Sequence, residues 1–165
     1  MKRKEVVLIA ITVVLLIVMI VGFVRDRNEA VLKRTLPFEY TDDMEVVEME
    51  KKGMLLARTS YEAKIRVECD DIYELFEMIW DAAGVAVENP EDNYIEADEY
   101  ERFKATVLRD SDIVPEPDPD TRVWAFGFED GGHDYYCVVD IEGSSIGAEG
   151  NVEGGEIYLY VYYTR

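Results

Sequence analysis

The sequence has few basic residues for its length. It contains 17 Lys and Arg residues against 36 Asp and Glu residues, so its formal net charge is −19 at pH 7. Without residues 2–5, 14 basic and 35 acidic residues remain, a formal charge of −21. A field of this sign repels the phosphates of nucleic acids and attracts basic proteins and divalent cations. The composition therefore argues against nucleic-acid binding.

Cysteine and histidine are also scarce. Cys69 and Cys137 are too far apart for the short ligand spacing of a zinc site. They could form one disulfide bond in an oxidising compartment, or they could be two buried thiols on separate strands. His133 is the single histidine. We find no motif that indicates a cofactor, and we expect none.

One short motif resembles part of a catalytic site. Residues 143–147 match G-x-S-x-G, which forms a nucleophile elbow only between a strand and a helix. The residues that follow have the composition of a loop. In addition, His133 precedes the serine in the sequence, whereas the α/β-hydrolase fold, in which this elbow occurs, places its catalytic histidine last. We therefore interpret the match as coincidental and predict no catalytic residues.

A long apolar run lies near the N-terminus. Residues 6–24 carry no charge, and a helix of this length spans roughly 28 Å, close to the roughly 30 Å hydrocarbon core of a bilayer. A cleavable signal peptide would have a shorter run that ends in small residues. The run therefore predicts an uncleaved transmembrane anchor, with Val6, Leu8, Ile11, Leu15, Leu16, Val18, Ile20, Phe23 and Val24 in the membrane.

Basic residues flank the anchor on both sides, so the positive-inside rule gives nearly a tie. The short basic N-tail is placed as in a signal sequence, which favours a cytoplasmic N-terminus and an external C-terminal domain at the cell membrane. The flanking basic residues are Lys2, Arg3 and Lys4 before the anchor and Arg25, Arg27, Lys33 and Arg34 after it.

These observations divide the chain into four parts. Residues 1–5 are a basic N-tail, residues 6–24 the anchor, and residues 25–43 a juxtamembrane helix or linker in which Pro37 ends the helix. Residues 44–165 form one acidic domain, because the chain after the tether has the usual size of a single domain.

The first half of the domain predicts a hairpin and a helix. Residues 61–69 alternate between apolar and charged side chains, which is typical of a strand with one buried face, and residues 44–49 predict its partner. Asp71 and Glu74 resemble a capping box before an apolar helical stripe that ends at Gly84. A second helix is predicted over residues 98–108, although the segment could equally be a strand.

The second half predicts three strands after a Pro-rich acidic connector at residues 115–120. The strands cover residues 122–128, 134–141 and 156–163, and a turn at residues 129–133 joins the first two as a hairpin. We therefore predict an α+β fold, with one small domain of antiparallel sheet and one or two helices packed on a face.

Two sets of side chains are candidates for binding. Tyr158, Tyr160 and Tyr162 alternate with apolar residues on the last strand, so their face is either a second buried layer or an exposed aromatic binding surface. Asp130, His133 and Asp134 are weak candidates for metal ligands, although exposed turns commonly contain these residue types.

The function that these features favour is a membrane-anchored interaction or ligand-binding module with a basic protein partner. Two alternatives stay open. One is a cation-responsive or sensory domain that binds divalent cations weakly. The other is an enzyme that acts on surface glycans through paired carboxylates.

Overall fold

A computed structural model describes residues 3–52, 60–84, 97–109, 111, 113–116, 123–142, 145–146 and 150–164. Most of the predicted connector at residues 115–120 lies outside these ranges. The chain divides into two compact units, Met1–Leu36 and Pro37–Arg165.

The first unit is a single helix, α1, Arg3–Thr35. Its 33 residues give a length of about 50 Å at 1.5 Å per residue, and its large apolar side chains between Val7 and Val24 are exposed wherever they are described. The helix is long and apolar enough to span a membrane. It continues past the apolar run, where Arg25 and Glu29 form an ion pair one turn apart at 3.1 Å, and it ends two residues before Pro37.

The second unit contains an antiparallel sheet and two helices, as predicted for an α+β fold. The sheet has five strands in the order β1-β2-β7-β4-β3, and β5 pairs with β6 in a small second sheet. The elements in chain order are β1 (Met44–Lys52), β2 (Ser60–Val67), α2 (Ile72–Ala83), α3 (Ala97–Val107), β3 (Val123–Asp130), β4 (His133–Glu142), β5 (Ser145–Ile146), β6 (Val152–Glu153) and β7 (Glu156–Thr164).

Helix α2 begins and ends at the predicted residues. The side chain of Asp71 accepts a hydrogen bond from the backbone N–H of Tyr73 at 2.8 Å, which is the N-cap arrangement. Gly84 has a left-handed φ of 67° and closes the C-terminus. Tertiary bonds hold the start of the helix as well, because the N–H of Ile72 donates to the carbonyl of Gly150 at 3.1 Å.

The two helices lie on opposite faces of the sheet. Phe76 of α2 contacts Phe126 of β3 with ring centroids 6.1 Å apart, whereas Phe103 of α3 contacts Tyr136 of β4 at 6.3 Å. Phe126 is opposite Cys137 in the register and Gly127 is opposite Tyr136, so the rings of Phe126 and Tyr136 point to different faces. The sequence predicts one or two helices on a single face of the sheet, whereas the structure has one helix on each face. Both faces can be covered because β3, β4 and β7 carry apolar side chains at successive positions, which point to alternate faces.

The motif at residues 143–147 lies partly within the described chain. Ser145 and Ile146 form β5, which pairs with β6. The described residues that come next, 150–153, form a bend, an isolated bridge and a strand rather than a helix. The described residues that follow the motif therefore contain no helix of the kind that a nucleophile elbow requires.

Candidate interaction surface

The aromatic side chains of β7 that the sequence singles out lie on the face covered by α3. Tyr158 is 8% exposed and Tyr160 is 4% exposed. Both belong to a buried cluster with Tyr100, Leu108 and Val138. Tyr162 is half-buried, and its ring centroid lies 6.1 Å from that of Tyr136. This burial supports a second packed layer, and it does not support an open binding surface at Tyr158 and Tyr160.

The ring faces of these tyrosines are already occupied by a cation of the chain itself. The Nζ atom of Lys64 lies 3.8 Å from the ring centroid of Tyr158 and 5.4 Å from that of Tyr160. Both distances are within the range of a cation–π interaction. No local sequence pattern predicts this contact, because Lys64 on β2 is opposite Tyr160 only through the pairing of β2 with β7, two strands that are distant in the sequence.

Arg66 is surrounded by carboxylates on the same face. Its guanidinium forms an ion pair with Glu45 of β1 and lies 3.6 Å from a carboxylate oxygen of Glu156 and 4.0 Å from one of Glu68. The side chain is about one-third exposed, so each pair contributes little to stability. The cluster leaves the local surface with an excess of negative charge.

A cleft of about 290 Å³ adjoins this cluster. Its lining includes Arg66, Cys69, Gly154, Gly155 and Glu156. Burial, followed by the negative charges of Asp71, Glu74, Asp70 and Asp43, raises the pKa of Cys69 to about 11. A thiol with a raised pKa is a poor nucleophile at neutral pH, so the cleft holds no activated cysteine.

Both cysteines are free. Cys137 is fully buried in the sheet, and this burial raises the pKa of its thiol to about 12. Cys69 follows β2 and is half-buried. The sequence is compatible with either a disulfide bond or two buried thiols. The structure has two separate thiols, of which Cys137 is fully buried and Cys69 is partly buried.

The hairpin between β3 and β4 carries the weak metal candidates. Asp130 and Asp134 are exposed, and His133 is half-buried. The Nδ1 atom of His133 is hydrogen-bonded at 2.9 Å to the hydroxyl of Tyr163, so part of the imidazole is engaged within the sheet. Among the residues that the structure describes, no group of three or more His, Cys, Asp or Glu side chains is placed to hold a metal ion.

The dominant surface property of the second unit is negative charge. Pro37–Arg165 contains 33 acidic and 10 basic residues, a formal charge of −23. Among the side chains of this unit whose exposure the structure describes, the exposed basic ones are Lys51, Arg102 and Arg109. The exposed acidic side chains are Glu39, Asp42, Asp43, Glu48, Glu50, Glu68, Asp70, Glu74, Glu77, Asp81, Glu99, Glu101, Glu116, Glu129, Asp130, Asp134 and Glu156.

Comparison of the chain with known protein families, curated proteins and solved structures gives no match.

Proposed function

We propose that the chain is a single-pass membrane protein whose acidic domain binds a basic protein partner. The supporting observation is the imbalance of exposed charge. Within the described part of Pro37–Arg165, seventeen acidic side chains are exposed but only three basic ones. Such a field accelerates encounter with a positively charged partner and disfavours anionic ones. The helix α1 supplies the anchor that would hold this surface at a membrane.

The proposal places the N-terminus in the cytoplasm and the domain outside. Lys2, Arg3 and Lys4 form a short basic tail of the kind that stays on the cytoplasmic side. A tag after Arg165, with protease added to intact cells, tests this orientation. We expect the tag to be lost from intact cells, and a tag that disappears only after the membrane is permeabilised would contradict the orientation.

A pull-down from solubilised membranes tests the binding. The full chain should capture its partner at about 50 mM salt and release most of it at about 300 mM, because the screening length for exposed charges falls from about 14 Å to about 6 Å between these ionic strengths. The control bait is α1 alone fused to a neutral domain. Capture that is insensitive to salt, or that the control reproduces, would count against an electrostatic surface.

Thermal unfolding distinguishes the proposal from a calcium-responsive domain. A ligand that binds the native state raises the unfolding midpoint, and general screening of negative charge raises it too. The full chain is therefore melted in about 2 mM calcium chloride and in sodium chloride of equal ionic strength. We expect equal midpoints, and a rise specific to calcium would favour the cation-responsive alternative.

A further inference from the structure

The five-stranded sheet ends in two outer strands, β1 and β3, and their free edges differ. Strand β1 carries three acidic residues, Glu45, Glu48 and Glu50, and its register with β2 shifts between Val46 and Glu48. Charged side chains and register irregularities are the usual means by which an edge strand avoids pairing with another chain. The edge of β1 is therefore protected.

The edge of β3 has neither kind of protection over most of its length. Its register with β4 is unbroken from Val123 to Asp130, and no charged residue or proline occurs before Glu129. Val123 and Trp124 are buried, but the strand is exposed or half-exposed from Ala125 onward. No described residue pairs with the outer side of β3, so residues 125–130 form an edge that is open within the described part of the chain. Its six residues are the typical length of a strand.

The turn determines which backbone groups of this open edge point outward. Gly131 and Gly132 both have positive φ, 58° and 79°, and form a two-residue loop between Asp130 and His133. In such a hairpin the flanking residues are a hydrogen-bonded pair, and bonded and non-bonded pairs then alternate along the ladder. The residues of the open edge that point N–H and C=O away from β4 are Ala125, Gly127 and Glu129.

These six backbone groups have no hydrogen-bond partner among the described residues. Gly127 is exposed at the centre of the open edge, and the ring of Tyr136 lies 3.0 Å from the position that a Cβ at Gly127 would take, so this glycine accommodates the ring of its cross-strand neighbour and leaves its outward backbone groups uncovered by a side chain. An added strand would therefore find a regular row of donors and acceptors, which is the basis of peptide binding by β-augmentation.

The surrounding charge indicates what kind of strand would fit. Glu129 and Asp130 are the last two residues of the open edge, and both are exposed. Helix α2 packs on β3 through Phe76 and exposes two further acidic side chains, Glu77 and Asp81, to solvent. A second copy of this domain would also carry a formal charge of −23, so the two copies would repel each other. A basic segment would instead be attracted.

We propose that β3 binds an extended, basic segment of a partner protein as a sixth strand of the sheet, through the outward backbone groups of Ala125, Gly127 and Glu129. This inference rests on the proposed function and specifies where and how the basic partner binds. Alternating basic and apolar residues are the expected sequence, because successive side chains of a strand point to opposite faces.

Amide exchange provides a direct test. The probe is a fluorescent peptide with the sequence Lys-Val-Lys-Val-Lys-Val-Lys, and the protein is the isotope-labelled full chain in nanodiscs of zwitterionic lipid. Peptide binding, followed by fluorescence anisotropy, should weaken with salt. At saturation, exchange at the amides of Ala125, Gly127 and Glu129 should slow by about tenfold or more. The amides of Phe126 and Phe128, already bonded to β4, should change less.

A pair of variants provides the second test. Ala125→Pro removes an outward N–H without removing a bond to β4, and it should weaken peptide binding about tenfold or more. Ala125→Ser keeps the N–H and should bind as the wild type does. The amide fingerprint of each variant shows whether it folds. If Ala125→Pro does not fold, the exchange pattern of the wild-type chain with and without peptide alone tests whether β3 is the binding site.

The possible outcomes separate the two proposals. Salt-dependent binding without protection at β3, or with protection at β1 instead, would overturn the strand-addition inference and leave the basic-partner proposal standing. An absence of binding at every salt concentration would overturn both. Protection of the β3 amides that appears without peptide and rises with protein concentration would identify a second copy as the occupant, which also contradicts the inference.

Discussion

The hydroxyl of Ser111 donates a hydrogen bond to a carboxylate oxygen of Glu62 at 3.0 Å, and both side chains are buried. Ser111 follows α3, and Glu62 is the third residue of β2. The same hydroxyl accepts a bond from the N–H of Val114 at 3.3 Å, so one side chain ties the segment after α3 to the sheet. We expect Ser111→Ala to lower the free energy of unfolding by about 1–3 kcal/mol, because it removes a donor from a buried carboxylate.

A second hydroxyl in the same part of the fold provides the control. Thr106 on α3 donates to the carbonyl of Arg102 at 2.8 Å but is exposed to solvent. Thr106→Ala should change the free energy of unfolding by no more than about 0.5 kcal/mol. Urea unfolding of the full chain in detergent measures both variants, and equal losses would show that the bond to Glu62 adds nothing.

Gly150 occupies a position that no other residue can take without rearrangement. Its φ is 81°, and an added Cβ would overlap the carboxylate of Asp71 and the ring of Tyr73. Asp71 caps α2, and the carbonyl of Gly150 accepts the N–H of Ile72. Gly150→Ala should therefore disturb the start of α2 and cost about 2 kcal/mol or more, the sum of backbone strain and a displaced cap.

Gly154 isolates the backbone contribution. Its φ of 70° is similar, but nothing lies within 4 Å of the position of an added Cβ. Gly154→Ala should cost only about 1–2 kcal/mol, the strain of a left-handed alanine. Circular dichroism and thermal unfolding compare the two variants, and a Gly150→Ala loss no larger than that of Gly154→Ala would refute the overlap argument.

The elements with strong local signals could be predicted from the sequence. The apolar stripe of α2, with Asp71 before it and Gly84 after it, fixes both ends of the helix by capping chemistry that involves only neighbouring residues. The alternation in β2 correctly predicts that Tyr61, Ala63 and Ile65 share a buried face. It does not predict that Glu62, on the opposite face, is fully buried as well, because α3 covers that face. The apolar run of α1 requires no tertiary information at all.

The burial of the tyrosines of β7, the bond between Ser111 and Glu62, and the strand order of the sheet all depend on contacts between residues that are distant in the sequence. Tyr158 and Tyr160 have the same pattern whether α3 covers them or solvent does, because tyrosine is compatible with both. Ser111 and Glu62 are 49 residues apart, and no local pattern links a serine after a helix to a charge on a strand. The outer positions of β1 and β3 depend on strand order, which the sequence did not provide.

Cys69 should react slowly with alkylating reagents despite being partly exposed. Its pKa is raised to about 11 from an ordinary value of 9.0, so at pH 8 the thiolate fraction is about one hundredth of that of an unperturbed cysteine. We expect alkylation by iodoacetamide, followed by mass spectrometry on the full chain, to accelerate until the pH passes about 11. Cys137 should stay unmodified until the protein unfolds, because it is completely buried.

Two glutamates of α2 form a matched pair for this experiment. Glu74 is one of the charges that raise the pKa of Cys69, whereas Glu77 is not, although both are exposed on the same helix. Glu74→Gln should therefore lower the pKa and speed alkylation at pH 8, and Glu77→Gln should leave the rate unchanged. Equal rates for the two variants would mean that the charge of Glu74 does not contribute to the raised pKa of Cys69.

Packing on both faces of the sheet predicts that both helices contribute to stability. Phe76 of α2 is completely buried, and its ring centroid lies 5.0 Å from that of Trp124. Phe76→Ala should lower the free energy of unfolding by about 3–5 kcal/mol through lost burial and a new cavity. Phe103 of α3 is only partly buried, and Phe103→Ala should cost about 1–3 kcal/mol.

Urea unfolding of the full chain in detergent again provides the measurement, with Val47→Ala as the control because Val47 is 53% exposed on β1. That control should change the free energy of unfolding by no more than about 0.5 kcal/mol. If Phe76→Ala does not fold, Phe76→Leu keeps most of the side-chain volume and should cost less than about 1.5 kcal/mol. A Phe103→Ala variant as stable as the control would mean that the contact between Phe103 and Tyr136 adds nothing to the packing of α3 on the sheet.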